Sequence, residues 1–256
     1  ALSWVQEELL LKLADNQSEA VSQAMTEKVQ IITGGPGTGK STITQAILTL
    51  TEKLKARILL AAPTGRAAKR MSEICQRKAK TIHQLLEFDG NRKTFKRNIE
   101  NPLECDLLIV DEASMIDTYL MFALLKAVPS SARLIFVGDI DQLPSVGPGN
   151  VLRDIIESKE YPVTRLTEIF RQAKGSKIIV NAHSINSGYF PNINSDPKDD
   201  FFFVSKDDPH EALQLIIHLV SQRIPSKYNF RSIEDIQVLS PMKKGVLGTE
   251  NLNMSL

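Results

Sequence analysis

The run Val29-Gln30-Ile31-Ile32-Thr33-Gly34-Gly35-Pro36-Gly37-Thr38-Gly39-Lys40-Ser41 decides the fold. Val29–Thr33 reads as a buried strand. The spacing Gly34-x-x-x-x-Gly39-Lys40-Ser41 follows at once, and Lys40 opens a helical stretch. Strand, glycine-rich loop and helix in that order are the context a phosphate-binding loop demands. The glycines let successive backbone N–H groups of Gly35, Gly37, Thr38 and Gly39, around Pro36, turn inward as an anion nest, and the helix adds its positive end. Lys40 is placed to reach the β- and γ-phosphates, and Ser41, beside Thr42, to ligate Mg²⁺.

Working outward, continuous apolar runs recur at Arg57–Ala62, Leu107–Asp111 and Leu134–Gly138, as expected for strands covered on both faces. Helical stretches fall between them at Gly39–Lys55, Arg66–Ala79 and Thr118–Ala127. The alternation predicts an open α/β parallel sheet with its ligand at the carboxyl ends of the strands. Phe88–Pro102 breaks the rhythm. It is polar, basic and turn-rich around Asp89-Gly90-Asn91, and reads as a small hairpin inserted at about 88–102. A first domain is expected over residues 1–160. A second boundary at Lys159–Pro162 leads to a fresh series: strand Val163–Leu166, helix Lys177–Ser187, loop Tyr189–Asp200, strand Phe201–Val204, helix Pro209–Gln222 and strand Ile236–Leu239. Residues 161–256 therefore read as the opening of a second, truncated α/β domain.

Three further segments speak to chemistry. Leu107–Val110 leads into Asp111-Glu112, two adjacent carboxylates at a strand end. Such a pair can cap a helix. Opposite a phosphate loop, Asp111 reads as a Mg²⁺ holder and Glu112 as the general base for an attacking water, which favours hydrolysis of ATP. Gly138-Asp139-Ile140-Asp141-Gln142 ends a neighbouring strand. Gln142 suits a γ-phosphate sensor, although alone it reads as a surface turn residue, and Asp139 as a turn-stabilising one. Arg171, in Leu166-Thr167-Glu168-Ile169-Phe170-Arg171-Gln172, suits an arginine finger or a surface salt bridge.

Composition sets bounds. The chain has 256 residues, 42% hydrophobic and 24% charged, an ordinary globular balance. No apolar run approaches the ~20 residues of a membrane helix, and the start of the chain lacks a signal-peptide pattern. Cys75 and Cys105 show neither CxxC nor nearby His spacing, so they read as plain thiols of a reducing, cytoplasmic compartment. Net charge is +1, yet Glu52–Arg97 carries 13 Lys/Arg against 4 Asp/Glu. The excess suits a polyanion track or merely two solvated helix faces.

Taken in order, the phosphate loop, Ala62-Pro63-Thr64-Gly65-Arg66-Ala67-Ala68, Thr81-Ile82-His83-Gln84-Leu85-Leu86, Val110–Met115, Gly138–Gly149 and Leu166–Gln172 resemble the motifs of the RecD/TraA family of superfamily 1 helicases. Ile236–Asn253 also resembles a second-domain segment of that family. The resemblance implies a P-loop NTPase with a RecA-like parallel sheet flanked by helices, plus an incomplete second RecA-like domain, with ATP and Mg²⁺ as ligands. It implies 5′→3′ movement on single-stranded DNA or on DNA with a 5′ tail, in repair or recombination. It assigns Gln17 to adenine, where the residues alone suggest a first-turn helix polar group. It assigns Pro63, Thr64, Arg66, Thr81, His83 and Lys243 to DNA, and Asn91–Arg97 to a strand-separating pin. His83 by itself reads as a core or capping histidine. The family's later second-domain motifs do not occur, and the chain does not start with Met, so a fragment is expected. Three functions remain open: a helicase motor, a nucleotide-gated DNA-binding module beside RecB/RecC-like subunits, and an RNA helicase of the same superfamily.

Overall fold

The computed structural model describes residues 2–168, 175–194, 196 and 198–256. It forms two compact units, residues 1–192 and 193–256.

In the first unit, α1 (Leu2–Glu8) and α2 (Asp15–Thr26) lead into β1 (Val29–Gly34), and α3 (Lys40–Lys53) follows the glycine loop. Next come β2 (Ile58–Ala62), α4 (Gly65–Cys75), the short β3 (Lys80–Thr81) and α5 (Ile82–Leu85). An antiparallel pair, β4 (Phe88–Asp89) and β5 (Thr94–Phe95), is the expected inserted hairpin. Then β6 (Leu107–Val110), a 3₁₀ turn (Ala113–Met115), α6 (Thr118–Ala127), β7 (Arg133–Gly138), α7 (Val151–Ser158), β8 (Val163–Leu166) and α8 (Lys177–Asn186) complete it.

Six strands make one parallel sheet in the order β3-β2-β6-β7-β1-β8. The apolar runs divide between its two faces residue by residue, as a period of two requires. Ile31, Leu108, Val110, Leu134 and Phe136 join the core beneath α5, α6 and α7. Their chain neighbours Ile32, Leu107, Ile109, Ile135 and Val137 join the core beneath α1, α2, α3 and α4. Both faces are covered there, so the central strands β6 and β7 carry no polar face.

β8 corrects the expected boundary. The sequence places Val163–Leu166 in a second domain, but Ile31–Gly34 of β1 pairs with it in parallel register, making it the edge strand of the first sheet. Buried polar groups fix it there. Gln30 Nε2 donates to Ala20 O (3.0 Å) and to Thr164 Oγ1 (3.3 Å), and Thr164 Oγ1 donates to Gln23 Oε1 (2.9 Å). These bonds offset most of the cost of burying the cluster, although Gln30 Oε1 has no partner among the described residues.

In the second unit, α9 (Pro209–His218) starts at Asp208, whose carboxylate accepts from His210 N and Glu211 N. It runs through a π turn (Leu219–Arg223) into α10 (Ile224–Tyr228), and α11 (Thr249–Ser255) ends the chain. The expected strands Phe201–Val204 and Ile236–Leu239 do not form; both stretches lack strand pairing. Phe203 and Val204 are 55% and 60% exposed, so neither gains the packing that makes aromatic and β-branched residues good strand formers. No strand occurs among the described residues of this unit, and the expected second RecA-like sheet is not seen there.

Candidate nucleotide site

The loop between β1 and α3 is fixed by close packing and by glycine geometry. A Cβ at Gly34 would stand 2.8 Å from Leu166 Cβ and 2.9 Å from Leu166 O, so β8 leaves room for hydrogen only. Gly39 takes φ +83°, the left-handed conformation that lets the chain turn into α3. Lys40 Nζ donates to the carbonyls of Gly34 and Gly35, the latter at 3.1 Å. Burial pulls its pKa below the ordinary lysine value, against the pull of Asp139, Glu112 and Asp111.

β7 lies between β1 and β6, so the loops that follow these three strands open side by side. They form one cleft of about 760 Å³, lined by Leu11, Lys12, Gln17, the loop Gly35–Thr42, Ala67, Arg70, Asp111, Glu112 and Gln142. The residues read from sequence as loop, carboxylates, sensor and base reader thus line a single cavity.

At the end of β6, Asp111 Oδ1 accepts from Glu112 N (2.9 Å). Glu112 sits at φ +51°, ψ +41°, a left-handed conformation that costs a non-glycine residue roughly 1 kcal/mol or more. Its Oε2 is buried with no partner among the described residues. Burial raises the pKa of Asp111 above the usual carboxylate range. Burial, then the neighbouring Asp111, does the same to Glu112. A strained, half-desolvated carboxylate with a spare oxygen is a group arranged for a ligand or a proton, not for holding the fold.

Gln17 is 2% exposed. Its Nε2 donates to Thr38 O (3.2 Å) and its Oε1 accepts from Ala14 N (3.1 Å), leaving one N–H and one lone pair. At the sensor loop, Asp139 is buried and accepts from Asp141 N (3.0 Å), the turn-stabilising role expected for it. Ile140 N donates to Thr33 Oγ1 (3.1 Å), tying the loop to β1, and Gln142 stays exposed on the cleft.

The candidate DNA residues fall elsewhere. Thr64 caps α4 by accepting from Ala67 N, and Thr81 caps α5 by accepting from Gln84 N. Each hydroxyl keeps its proton to donate. Pro63 is half-buried before that cap, and Arg66 is exposed on the first turn of α4. His83 is exposed and packs edge-on against Phe88 of the hairpin at 5.4 Å. Phe88 meets Phe95 at 5.0 Å, and Phe95 reaches Tyr119 of α6 at 6.1 Å. Lys243 belongs to the second unit, with Nζ 3.6 Å from Glu250 Oε1. Arg171 lies outside the described residues.

Sequence reasoning passed over Leu11, Lys12, Ala67 and Arg70, all of which line the cleft. The available signal for the last two was their i, i+3 spacing on the helix that leaves β2.

Loop, carboxylates and parallel sheet define the class: a phosphate-loop nucleotide-binding α/β domain. Residues 17–148 match the AAA domain family, and the chain belongs to it. Over 95% of its length it is 38% identical to the ATP-dependent RecD2 DNA helicase of Deinococcus radiodurans, of which the match spans 32%. It is also 38% identical to the RecBCD enzyme subunit RecD of Mycobacterium tuberculosis (strain H37Rv), over 56% of this chain and 29% of that one. The chain spans about a third of the length of these relatives. The fold is shared with the Pif1 helicase from Candida albicans, at TM-score 0.54 and 24% identity, over 71% of this chain and 46% of that one. It is shared as well with Pif1 from Bacteroides in complex with ADP-AlF3 and ssDNA, at TM-score 0.53 and 20% identity, over 86% and 52%.

Proposed function

We propose that this chain is the ATP-hydrolysing core of a DNA helicase that moves 5′→3′ on single-stranded DNA. The observation that carries the reading is the cleft in which Lys40 and the loop Gly35–Ser41 face Asp111 and Glu112. In this reading the loop N–H groups and Lys40 hold the β- and γ-phosphates, and the spare amide sites of Gln17 meet the adenine edge. The water oxygen attacks the γ-phosphorus, its proton passes to Glu112, and the bond to the β–γ bridging oxygen breaks to give ADP and phosphate. A raised pKa suits Glu112 to that task, because a base works best with a pKa near the working pH. Gln142 orients the water. Arg171 supplies a further cation at the γ-phosphate.

Ser41 and Asp111 would hold Mg²⁺, which when bound neutralises charge on the phosphates. The donor set fits. A hydroxyl and carboxylates share the cleft, and Glu112 Oε2 lacks a partner among the described residues.

The DNA part rests on Thr64 and Arg66 at the start of α4, Thr81 and His83 at α5, Lys243, and the basic hairpin segment Asn91–Arg97. A motor that accepts every sequence needs phosphate and stacking contacts, which these residue types provide. The likeness to a RecBCD subunit supports a second reading, a nucleotide-gated DNA-binding module working beside RecB/RecC-like subunits.

The test is ATP hydrolysis by the complete protein with and without single-stranded DNA. DNA should stimulate turnover, and Lys40→Ala or Glu112→Gln should abolish it. Turnover indifferent to DNA sinks the motor reading, turnover seen only with partner subunits favours the second, and stimulation by RNA alone redirects it to an RNA helicase.

A further inference from the structure

The geometry points to Arg70 as a cation that binds the terminal phosphate of the nucleoside triphosphate from within the same domain. This rests on the ATPase reading above and adds a residue to it. α4 leaves the carboxyl end of β2, beside β6, and turns Ala67 and Arg70 into the cleft. Arg70 is exposed on the rim and forms no salt bridge among the described residues. Two carboxylates are nevertheless close enough to feel it. Arg70 lines the same cleft as Lys40, Asp111 and Glu112, on the side where the general base stands.

That end has a charge problem. Two half-desolvated carboxylates already occupy it, and a terminal phosphate adds more negative charge. Lys40 is engaged with the carbonyls of Gly34 and Gly35 and offers a single ammonium. A guanidinium presents a planar fork of donors that matches two phosphate oxygens at once, and it stays ionised under burial. A structural role for Arg70 would show a fixed carboxylate or carbonyl partner, and none is present among the described residues.

The placement has a second consequence. Arg66 and Arg70 stand one helical turn apart, roughly 6 Å along α4. A pull on Arg70 by the terminal phosphate therefore acts on the helix whose first turn carries the Thr64 cap and Arg66.

The experiment titrates a fluorescent, non-hydrolysable ATP analogue and the matching ADP analogue, with Mg²⁺ and without DNA, against the wild-type chain, Arg70→Ala and Arg70→Lys. A labelled oligothymidylate is titrated in parallel without nucleotide. A charge-assisted contact predicts a loss of triphosphate affinity of roughly tenfold or more in Arg70→Ala. Diphosphate and oligothymidylate affinities should stay within about twofold, and Arg70→Lys should recover part of the loss. Equal weakening of both nucleotides, or no change in either, overturns the proposal. Weakened oligothymidylate binding with intact nucleotide binding overturns it too, and makes Arg70 a DNA contact. A wild-type chain that binds neither nucleotide overturns the ATPase reading together with this one, whereas tight wild-type binding unchanged in Arg70→Ala overturns this one alone.

Discussion

The imidazole of His183 in α8 lies directly over Gly35 of the phosphate loop: Cε1 is 2.9 Å from the point where a Cβ on Gly35 would stand. Its Nε2 is buried with no partner among the described residues. α8 itself is anchored at Asn181, whose Nδ2 donates to Asn192 O (3.0 Å) and whose Oδ1 accepts from Asn192 N (2.8 Å). A methyl group at position 35 thus meets a ring whose helix is held.

Gly35→Ala should force the ring aside or push the loop inward, an overpacking cost of about 1–3 kcal/mol. Triphosphate affinity should fall, and adding His183→Ala should restore most of it, because the two changes touch the same space. Fluorescence titration of the two single variants and the double variant reads the coupling. A Gly35→Ala chain that binds as well as wild type would show that the ring swings away freely.

Glu112 links the site to stability. Its folded pKa lies above the ordinary value of 4.5, so the folded chain binds more protons than the unfolded chain in the window between the two. Stability from this group is full below 4.5 and is lost as pH rises through the raised value. Glu112→Gln keeps the shape without the charge. Denaturant midpoints should be similar for both chains in acid, and the variant should become the more stable one as pH rises towards neutrality. A gap of the opposite sign would remove the argument from desolvation.

Arg92 and Lys93 occupy the turn of the β4–β5 hairpin and are exposed. If they touch phosphates, the double variant Arg92→Ala/Lys93→Ala should bind oligothymidylate more weakly. The slope of log affinity against log salt should flatten by about 0.7 for each phosphate of single-stranded DNA that is no longer neutralised. Weaker binding with an unchanged slope would place these residues off the DNA track.

Phe136 is 2% exposed in the middle of β7, and packs in the core beneath α6 and α7. Phe136→Ala should cost about 3–5 kcal/mol through reduced burial and the cavity left behind. Urea unfolding measures it. A cost below about 1 kcal/mol, well under the range for a buried aromatic truncation, would mean that the sheet and α6 close over the gap.

Local pattern carries much of this protein. The apolar runs of β1, β2, β6 and β7 are continuous because both faces of the sheet are covered, and the turn chemistry around Asp89-Gly90-Asn91 marks the hairpin. Asp111-Glu112 and the phosphate loop are each contiguous, so they are visible along the chain. The place of β8 is not, because its membership depends on register with β1 and on the Gln23–Gln30–Thr164 bonds, which span far-apart parts of the chain. Phe201–Val204 and Ile236–Leu239 have strand composition, but a strand also needs a partner, which composition does not reveal. In sequence, Arg70 is one more solvated arginine and His183 an ordinary helix histidine. Only the placement of α4 and α8 against the loop makes them part of the site.

The hairpin leaves the fold and returns to it through neighbouring points. Arg97 N donates to Leu86 O (3.1 Å) and Lys96 N to Glu87 O (3.3 Å), while Leu103 N donates to Ala127 O (2.7 Å). Leu86 and Leu103 on either side are buried, so the ends are clamped and the tip at Gly90 is open. The turn Gly90–Lys93, between β4 and β5, behaves as a fitting on a fixed mount: a longer finger, a fluorophore or a short peptide tag spliced there lies outside both strand pairs, which makes this turn the natural place from which to watch the protein at work.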